Sequence, residues 1–296
     1  MPVCQVLTKS MRARALGAHR PLTCRTIKTF ASIPPGDANG GAKEKRLDAS
    51  LSAPSSPSTS TQSVSGGGAP PMSTQRSLTA LLAFGIVAAD VEGVDRNWHL
   101  LLPYDQALFA LAASLPPPDI IFARTTVSDT PIDAALYAWA AALALGTLRP
   151  GSRRGVWEAS FFAFVALMVN ANVVSFLKDA FMRPRPEAVL ASYAFPSGHT
   201  TAACFGWGVL FLSILPAAFP ELRAALRREG GGLTPLCVAL WATPTVVTAT
   251  GRIIGEAHWL SDTVAGAAVG VVFASLADGA ANAARRARGD ENHKLL

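Results

Sequence analysis

The sequence predicts an all-α, polytopic membrane protein with a six-transmembrane-helix core and a disordered N-terminal leader. Half of the 296 residues are hydrophobic and only 16% are charged, and the mean hydropathy is +0.30. This composition is too apolar for an ordinary soluble enzyme. In addition, apolar segments recur along the chain at lengths close to the roughly 20 residues that cross a bilayer.

Six apolar segments account for the predicted core. They cover residues 77–91, 132–148, 157–177, 200–219, 233–250 and 263–281. The first segment is the weakest candidate, because it is short and ends at Asp90. The stretch 103–123 is interrupted by prolines, so we expect an interfacial helix there rather than a span.

Positive charge is concentrated at one end of the predicted bundle. Arginines cluster in the loop 149–155, in the loop 221–232 and in a basic polar C-terminal tail, 284–296. With six spans, these segments and the N-terminus share one face. The positive-inside rule makes that face cytoplasmic or stromal. The connections after the third and fifth spans then open on the opposite face.

The leader, residues 1–76, carries most of the excess charge. It has ten Lys and Arg against three Asp and Glu, a net of +7, whereas the remainder has 16 against 17, a net of −1. The basic balance therefore gives no reason to expect nucleic-acid binding. Residues 1–30 are rich in Arg and hydroxyl residues and lack acids, which is typical of an organellar transit peptide.

Three alternatives stay open for this leader. Its length and Ser content favour a chloroplast over a mitochondrion, and the Ser-, Gly- and Pro-rich stretch that follows predicts a disordered linker. A solvated cytoplasmic tail, on a protein of the endoplasmic reticulum or another endomembrane, is the simpler explanation. The four cysteines are too far apart to indicate a zinc site or a disulfide framework.

Three polar clusters lie at span ends on the face without basic loops. They cover residues 178–186, 196–199 and 252–262. Charged side chains at membrane depth are costly, which makes these clusters candidate functional sites. Their cations are Lys178, Arg185 and Arg252, and the arginine fork matches phosphate oxygens.

Ser197 and Gly198 stand where the fourth span begins. Free backbone N–H groups and the positive end of the helix dipole would face an anion there. Glycine also lets the backbone approach that anion closely. We therefore expect a cradle for a phosphoryl group at this helix start.

Two histidines complete the candidate site. His258 and Asp262 are four residues apart, so on a helix they share a face. The carboxylate would fix the imidazole tautomer and leave the other ring nitrogen to attack. His199, beside the cradle, can donate a proton to the leaving oxygen.

Each cluster alone has a simpler interpretation. A serine at a helix start is usually a cap, and a His–Asp pair is often surface pairing. A single arginine near a span end usually snorkels to the interface, and we assign three to that role: Arg183, Arg223 and Arg228. Together, however, the clusters supply the parts of one phosphoryl-transfer site.

The order and spacing of these clusters resemble the three-part signature of the type 2 phosphatidic acid phosphatase superfamily. The matching residues are Lys178-x6-Arg185-Pro186, Pro196-Ser197-Gly198-His199 and Arg252-x5-His258-x3-Asp262. The resemblance covers roughly residues 77–283, the predicted membrane domain, and not the leader. One departure is Gly251, where the family commonly has Ser.

The resemblance implies a metal-independent phosphatase without a cofactor. In that mechanism His258 attacks phosphorus and forms a phosphohistidine, Asp262 orients it, and His199 protonates the leaving alkoxide. The phosphate ligands it implies are Lys178, Arg185, Ser197, Gly198 and Arg252. Asp179 and Glu187 lie near the site in sequence but form no ligand set for Mg²⁺.

The expected function is an integral membrane lipid phosphate phosphatase that meets its substrate in the bilayer. Phosphatidate is the first substrate candidate, and phosphatidylglycerol phosphate and polyprenyl (di)phosphates are rivals. A vanadium haloperoxidase-like enzyme shares the pocket type, but members of that class are soluble. An inactive membrane scaffold would be expected to have lost a His or Arg that this chain retains.

Overall fold

The computed structural model describes residues 71–93, 100–187, 190, 192–228 and 232–288. The predicted transit peptide and linker lie outside these residues, and the division into leader, membrane domain and tail stays a prediction. The described chain is helical apart from its connections, which include one antiparallel bridge between Arg227 and Leu233. The predicted all-α fold is confirmed.

Seven main helices make up the described fold. They are α1 (Met72–Gly93), α2 (Leu102–Ala112), α3 (Pro117–Leu148), α4 (Arg153–Phe181), α5 (Gly198–Ala218), α6 (Pro235–Ile254) and α7 (Leu260–Ala287). Single π-helical turns interrupt α3 at Ala123–Val127 and α5 at Leu210–Ile214. A 3₁₀ turn, Pro220–Leu222, and a helical turn, Arg223–Leu226, connect α5 to α6.

Five of the described helices, α3 to α7, are long and apolar enough to cross a membrane. The polytopic membrane fold is therefore confirmed. Helix α1 corresponds to the weakest predicted span and is not among these five. It is 22 residues long, carries Arg76 and Asp90, and packs along α7 as part of the bundle.

The second span begins well before the predicted position. We expected residues 103–123 to stay outside the span, but only the first half forms the separate helix α2, and Pro117–Phe122 continues into α3. The prediction was wrong for this second half. Proline at a helix start removes an N–H that has no intrahelical partner anyway, so Pro117 can begin a helix here.

Helices α5 and α7 form the centre of the bundle. The most apolar windows of α5 and α7 are 78% and 61% buried, against 22–33% for the other three candidate spans. Glycines let these two helices cross closely. A Cβ atom on Gly266 would lie 2.5 Å from the Ser197 carbonyl oxygen, and one on Gly270 would lie 2.9 Å from the Thr201 carbonyl oxygen.

Ion pairs, some buried and one exposed, connect the basic segments of the chain at one end of the helical bundle. Arg76 of α1 and Arg227 both donate to Asp278 of α7, at 2.9 and 2.7 Å, and Asp278 is 1% exposed. An exposed pair between Arg149 and Glu221, at 2.5 Å, joins the α3–α4 connection to the α5–α6 connection. The start of α1, both basic connections and the end of α7 therefore share one end of the bundle.

Substitution Gly266→Ala tests the α5–α7 crossing. The added methyl has backbone as its nearest neighbour, so the helices must separate, which we expect to cost about 1–3 kcal/mol. Thermal unfolding in detergent, followed by circular dichroism, measures the effect. Gly85→Ala in α1 is the control, because a Cβ there meets no described atom within 4 Å. Equal melting temperatures for the two variants would contradict the crossing.

Candidate active site

The three predicted clusters meet at the end of the bundle opposite the basic connections. The Ser197 amide at the start of α5 donates to the Asp262 carbonyl oxygen in α7, at 2.9 Å. Arg185, in the connection after α4, lies 3.3 Å from Nε2 of His258. Lys178 of α4 is within electrostatic range of Arg185 and Asp262. Residues far apart in sequence thus form one polar site.

Ser197 caps α5 and is fully buried. Its Oγ accepts from the Thr200 hydroxyl at 3.1 Å and lies 3.5 Å from the Thr200 amide nitrogen. Gly198 is the first helical residue, and a Cβ there would meet only Val174, at 3.8 Å, among the described atoms. Packing within the described protein therefore does not require glycine at this position, whereas the approach of an anion to the backbone would.

His258 and Asp262 are almost completely buried, at 2% and 0% exposed. Nδ1 of His258 lies 3.5 Å from Oδ2 of Asp262, longer than an ordinary hydrogen bond, and has no other partner among the described residues. Such contacts are often loose before substrate binds. Burial lowers the pKa of His258 to about 4, and Asp262 only partly opposes this shift. The imidazole is therefore neutral at physiological pH.

The three predicted cations are held by carbonyl and hydroxyl oxygens. Arg185 donates to the carbonyl oxygens of Ser192 and Ala257, at 2.7 and 2.9 Å, and to the Ser192 hydroxyl at 2.7 Å. Lys178 Nζ donates to the carbonyl oxygen of Tyr193 at 2.7 Å.

Arg252 is 7% exposed, donates to the Arg124 carbonyl oxygen at 3.2 Å, and has an Nε without a partner in the described chain. No described carboxylate forms an ion pair with Lys178, Arg185 or Arg252. None of these three cations is therefore tied directly to a described carboxylate at this end of the bundle.

His199 has an acidic partner that the sequence analysis missed. Its Nε2 lies 3.3 Å from Oδ1 of Asp129, in the early part of α3, and both side chains are partly exposed. Arg252 and Arg185 also interact electrostatically with His199. Asp129 was missed because we expected α3 to begin only near residue 132, which left this carboxylate in a loop.

Arg183 does not snorkel to the interface, so that prediction was wrong. Its side chain is 12% exposed and donates to Asp262 at 2.5 Å, to the Ser261 hydroxyl at 2.6 Å and to Asp105 at 2.8 Å. Two buried carboxylates retain the guanidinium inside the protein. The Arg-Pro pair is duplicated at 183–186, and this duplication is a sequence signal that could have indicated a second ordered arginine.

The departure at Gly251 has a structural explanation. A Cβ atom there would lie 2.8 Å from the Ala123 carbonyl oxygen and 2.8 Å from the Ser128 amide nitrogen. The π-helical turn of α3 therefore occupies the space that a serine side chain would need. Glu187, which the sequence analysis did not assign to a metal site, pairs with Arg124.

The fold defines a polytopic helical membrane protein, and comparison with known proteins indicates which family it resembles. The model of the PAP2 superfamily matches residues 157–282. This match confirms the resemblance drawn from the three clusters.

Two known proteins are similar to this chain. Lipid A 1-phosphatase of Porphyromonas gingivalis (strain ATCC 33277) is 32% identical over 121 residues, which are 41% of this chain. The match spans only 22% of that relative's length. The crystal structure of a transmembrane PAP2 type phosphatidylglycerolphosphate phosphatase from Bacillus subtilis matches with a TM-score of 0.53 and 18% identity. It covers 69% of this chain and 94% of the other. That likeness shows the fold.

The neutral state of His258 can be measured directly by histidine NMR. Because burial disfavours the charged form, we expect its ring to titrate near pH 4, below the ordinary value of 6.5. A spectrum of the His258→Ala variant assigns the resonance among the five histidines. Stability should also fall as the pH drops below 6.5, since the unfolded chain then binds the proton first. A titration at or above pH 6.5 would contradict a neutral His258.

Proposed function

We propose that this protein is an integral membrane phosphatase that removes phosphate from phosphatidic acid or a related lipid phosphate, without a metal and through a phosphohistidine. One observation carries the proposal. Lys178, Arg185 and Arg252 converge without described carboxylate partners beside the neutral imidazole of His258. Cations without a paired carboxylate, next to a nucleophile, are what the transfer of an anionic phosphoryl group requires.

The phosphate would lie between these cations and the start of α5. Arg185 already contacts the Nε2 side of His258, so its guanidinium can hold an oxygen of the reacting group. The open space at Gly198 lets the first amides of α5 reach another oxygen. Because these donors are fixed by the fold, they stabilise developing charge without reorganising.

The first chemical step would form a bond between Nε2 of His258 and phosphorus while the bond from phosphorus to the lipid oxygen breaks. Asp262, whose Oδ2 faces Nδ1 at 3.5 Å, would accept a hydrogen bond from Nδ1–H in this step and balance the charge that the ring gains. His199 gives its proton to the leaving lipid alkoxide, and Asp129 holds His199 in place.

In the second step, water would attack the phosphohistidine and give up a proton to His199. The bond from phosphorus to Nε2 then breaks, inorganic phosphate leaves, and His258 returns to its neutral state. Both histidines thus finish the cycle in the protonation states in which they began.

A lipid substrate follows from the position of the site at the ends of membrane-spanning helices. The names of the two similar proteins both refer to phosphates on lipids. Phosphatidate is our first choice, and phosphatidylglycerol phosphate and polyprenyl (di)phosphates are alternatives, because the predicted ligands contact phosphate rather than tail. The composition of residues 1–76 supports an organellar membrane, with a chloroplast favoured over a mitochondrion.

Variants of the two histidines test this function. In phosphatidate mixed micelles with EDTA, we expect wild-type protein to release phosphate. His258→Ala should lose activity about 10³-fold or more, as nucleophile variants do, and His199→Ala about 10²–10⁴-fold. Arg149→Ala, an exposed residue at the opposite end, is the control and should keep full activity. Mg²⁺-dependent release that persists in His258→Ala would contradict the site.

A further inference from the structure

Arg183 lies between two buried carboxylates from different helices. One of its terminal nitrogens donates to Oδ1 of Asp262 at 2.5 Å, and the other donates to Oδ2 of Asp105 at 2.8 Å. Asp262 and Asp105 are 0% and 2% exposed. Buried carboxylates are costly unless they are paired and hydrogen-bonded, so this guanidinium offsets part of the cost of burying both of them.

Asp105 in turn is fixed to the start of α7. Its Oδ1 accepts from the Ser261 amide at 2.9 Å, and its Oδ2 accepts from the Ser261 hydroxyl at 2.6 Å. Arg183 donates to that hydroxyl as well, at 2.6 Å. Helix α2, the connection after α4 and the first turn of α7 are therefore joined through four side chains: Asp105, Arg183, Ser261 and Asp262.

The two oxygens of Asp262 have separate partners. Oδ2 accepts from the Trp259 amide at 2.9 Å and faces Nδ1 of His258 at 3.5 Å. Oδ1 accepts only from Arg183 among the described donors. A carboxylate held at one oxygen can rotate about its Cβ–Cγ bond, whereas one held at both cannot. The hydrogen bond from Arg183 to Oδ1 therefore keeps Oδ2 directed at the imidazole of His258.

We propose that Arg183 is a positioning residue that holds Asp262 in the orientation that His258 needs, and that Asp105 holds Arg183 in turn. This inference rests on the proposed function, because it assigns to Asp262 the role of orienting the nucleophile. The indole of Trp259 limits the movement of Arg183, since the guanidinium carbon lies 5.6 Å from the ring centre. The Trp259 indole N–H also donates to the Pro184 carbonyl oxygen at 3.0 Å.

The two arginines of the duplicated Arg-Pro sequence, Arg183 and Arg185, therefore have different roles. Arg185 approaches Nε2 of His258, where the phosphate would bind, and it donates to no described carboxylate. Arg183 approaches the opposite side of the pair through Asp262 and two further partners. Loss of Arg185 should weaken phosphate binding, whereas loss of Arg183 should slow the chemical step and leave binding unchanged.

Kinetics of the matched variants Arg183→Met and Arg185→Met test this division. The measurements are kcat and KM with phosphatidate in mixed micelles, and Ki for inorganic phosphate as a product inhibitor. For Arg183→Met, we expect kcat to fall about 10²-fold, the effect of a misplaced reacting group, with KM and Ki within about twofold of wild type. For Arg185→Met, both KM and Ki should rise about tenfold or more, as expected for the loss of a charge-assisted phosphate contact.

A second set of variants separates positioning from folding. Arg183→Met leaves two buried carboxylates without their cation, so we expect this variant to lose stability. The double variant Asp105→Asn/Arg183→Met restores the net charge of the network. It should melt close to wild type and still show the low kcat. Arg183→Lys keeps the charge and donors, and should recover part of kcat.

Two results would overturn the role of Arg183. One is a wild-type kcat in folded Arg183→Met or in the double variant. The other is a rise in KM and Ki equal to that of Arg185→Met, which would make Arg183 a phosphate ligand. If wild-type protein hydrolyses no lipid phosphate, the proposed function fails, and the inference fails with it. If wild type is active and Arg183→Met matches it, the inference alone fails.

Discussion

The close crossing of α5 and α7 is the constraint on which the rest of the structure depends. Gly266 and Gly270 remove the side chains that would separate these helices, so the Ser197 amide can bond the Asp262 carbonyl oxygen. That single backbone contact joins the start of α5, where we propose that phosphate binds, to the first turn of α7, which carries Asp262. A wider crossing would break this contact.

The cations at the two ends of the bundle have different kinds of hydrogen-bond partner. At the basic end, Arg76 and Arg227 share the buried carboxylate of Asp278. At the site end, Lys178 and Arg185 donate to backbone carbonyls and to a serine hydroxyl, so their charge is not cancelled by any described ion pair. Pairing offsets the cost of burying a charge, whereas a cation at membrane depth without a paired carboxylate is costly and is expected where an anion binds.

The sequence predicted the helical fold and the grouping of the three clusters because both depend on local patterns of apolar and charged residues. It did not predict Asp105 and Asp129, because their partners lie more than 60 residues away in the chain and only the packing of α2 and α3 brings them together. Arg183 was misassigned for the same reason. An arginine near a span end usually reaches the interface, and only the positions of Asp105 and Asp262 show that this one turns inward.

In the proposed mechanism His258 becomes covalently phosphorylated, and trapping that intermediate is the decisive experiment. Purified protein is mixed with lipid phosphate that carries radioactive phosphorus and is quenched within milliseconds in alkali, where phosphohistidine survives. We expect label on the protein that is lost in acid, maps to His258 and is missing from His258→Ala. Label on another residue, or turnover by wild type with no labelled protein at any quench time, would rule out a phosphohistidine at His258.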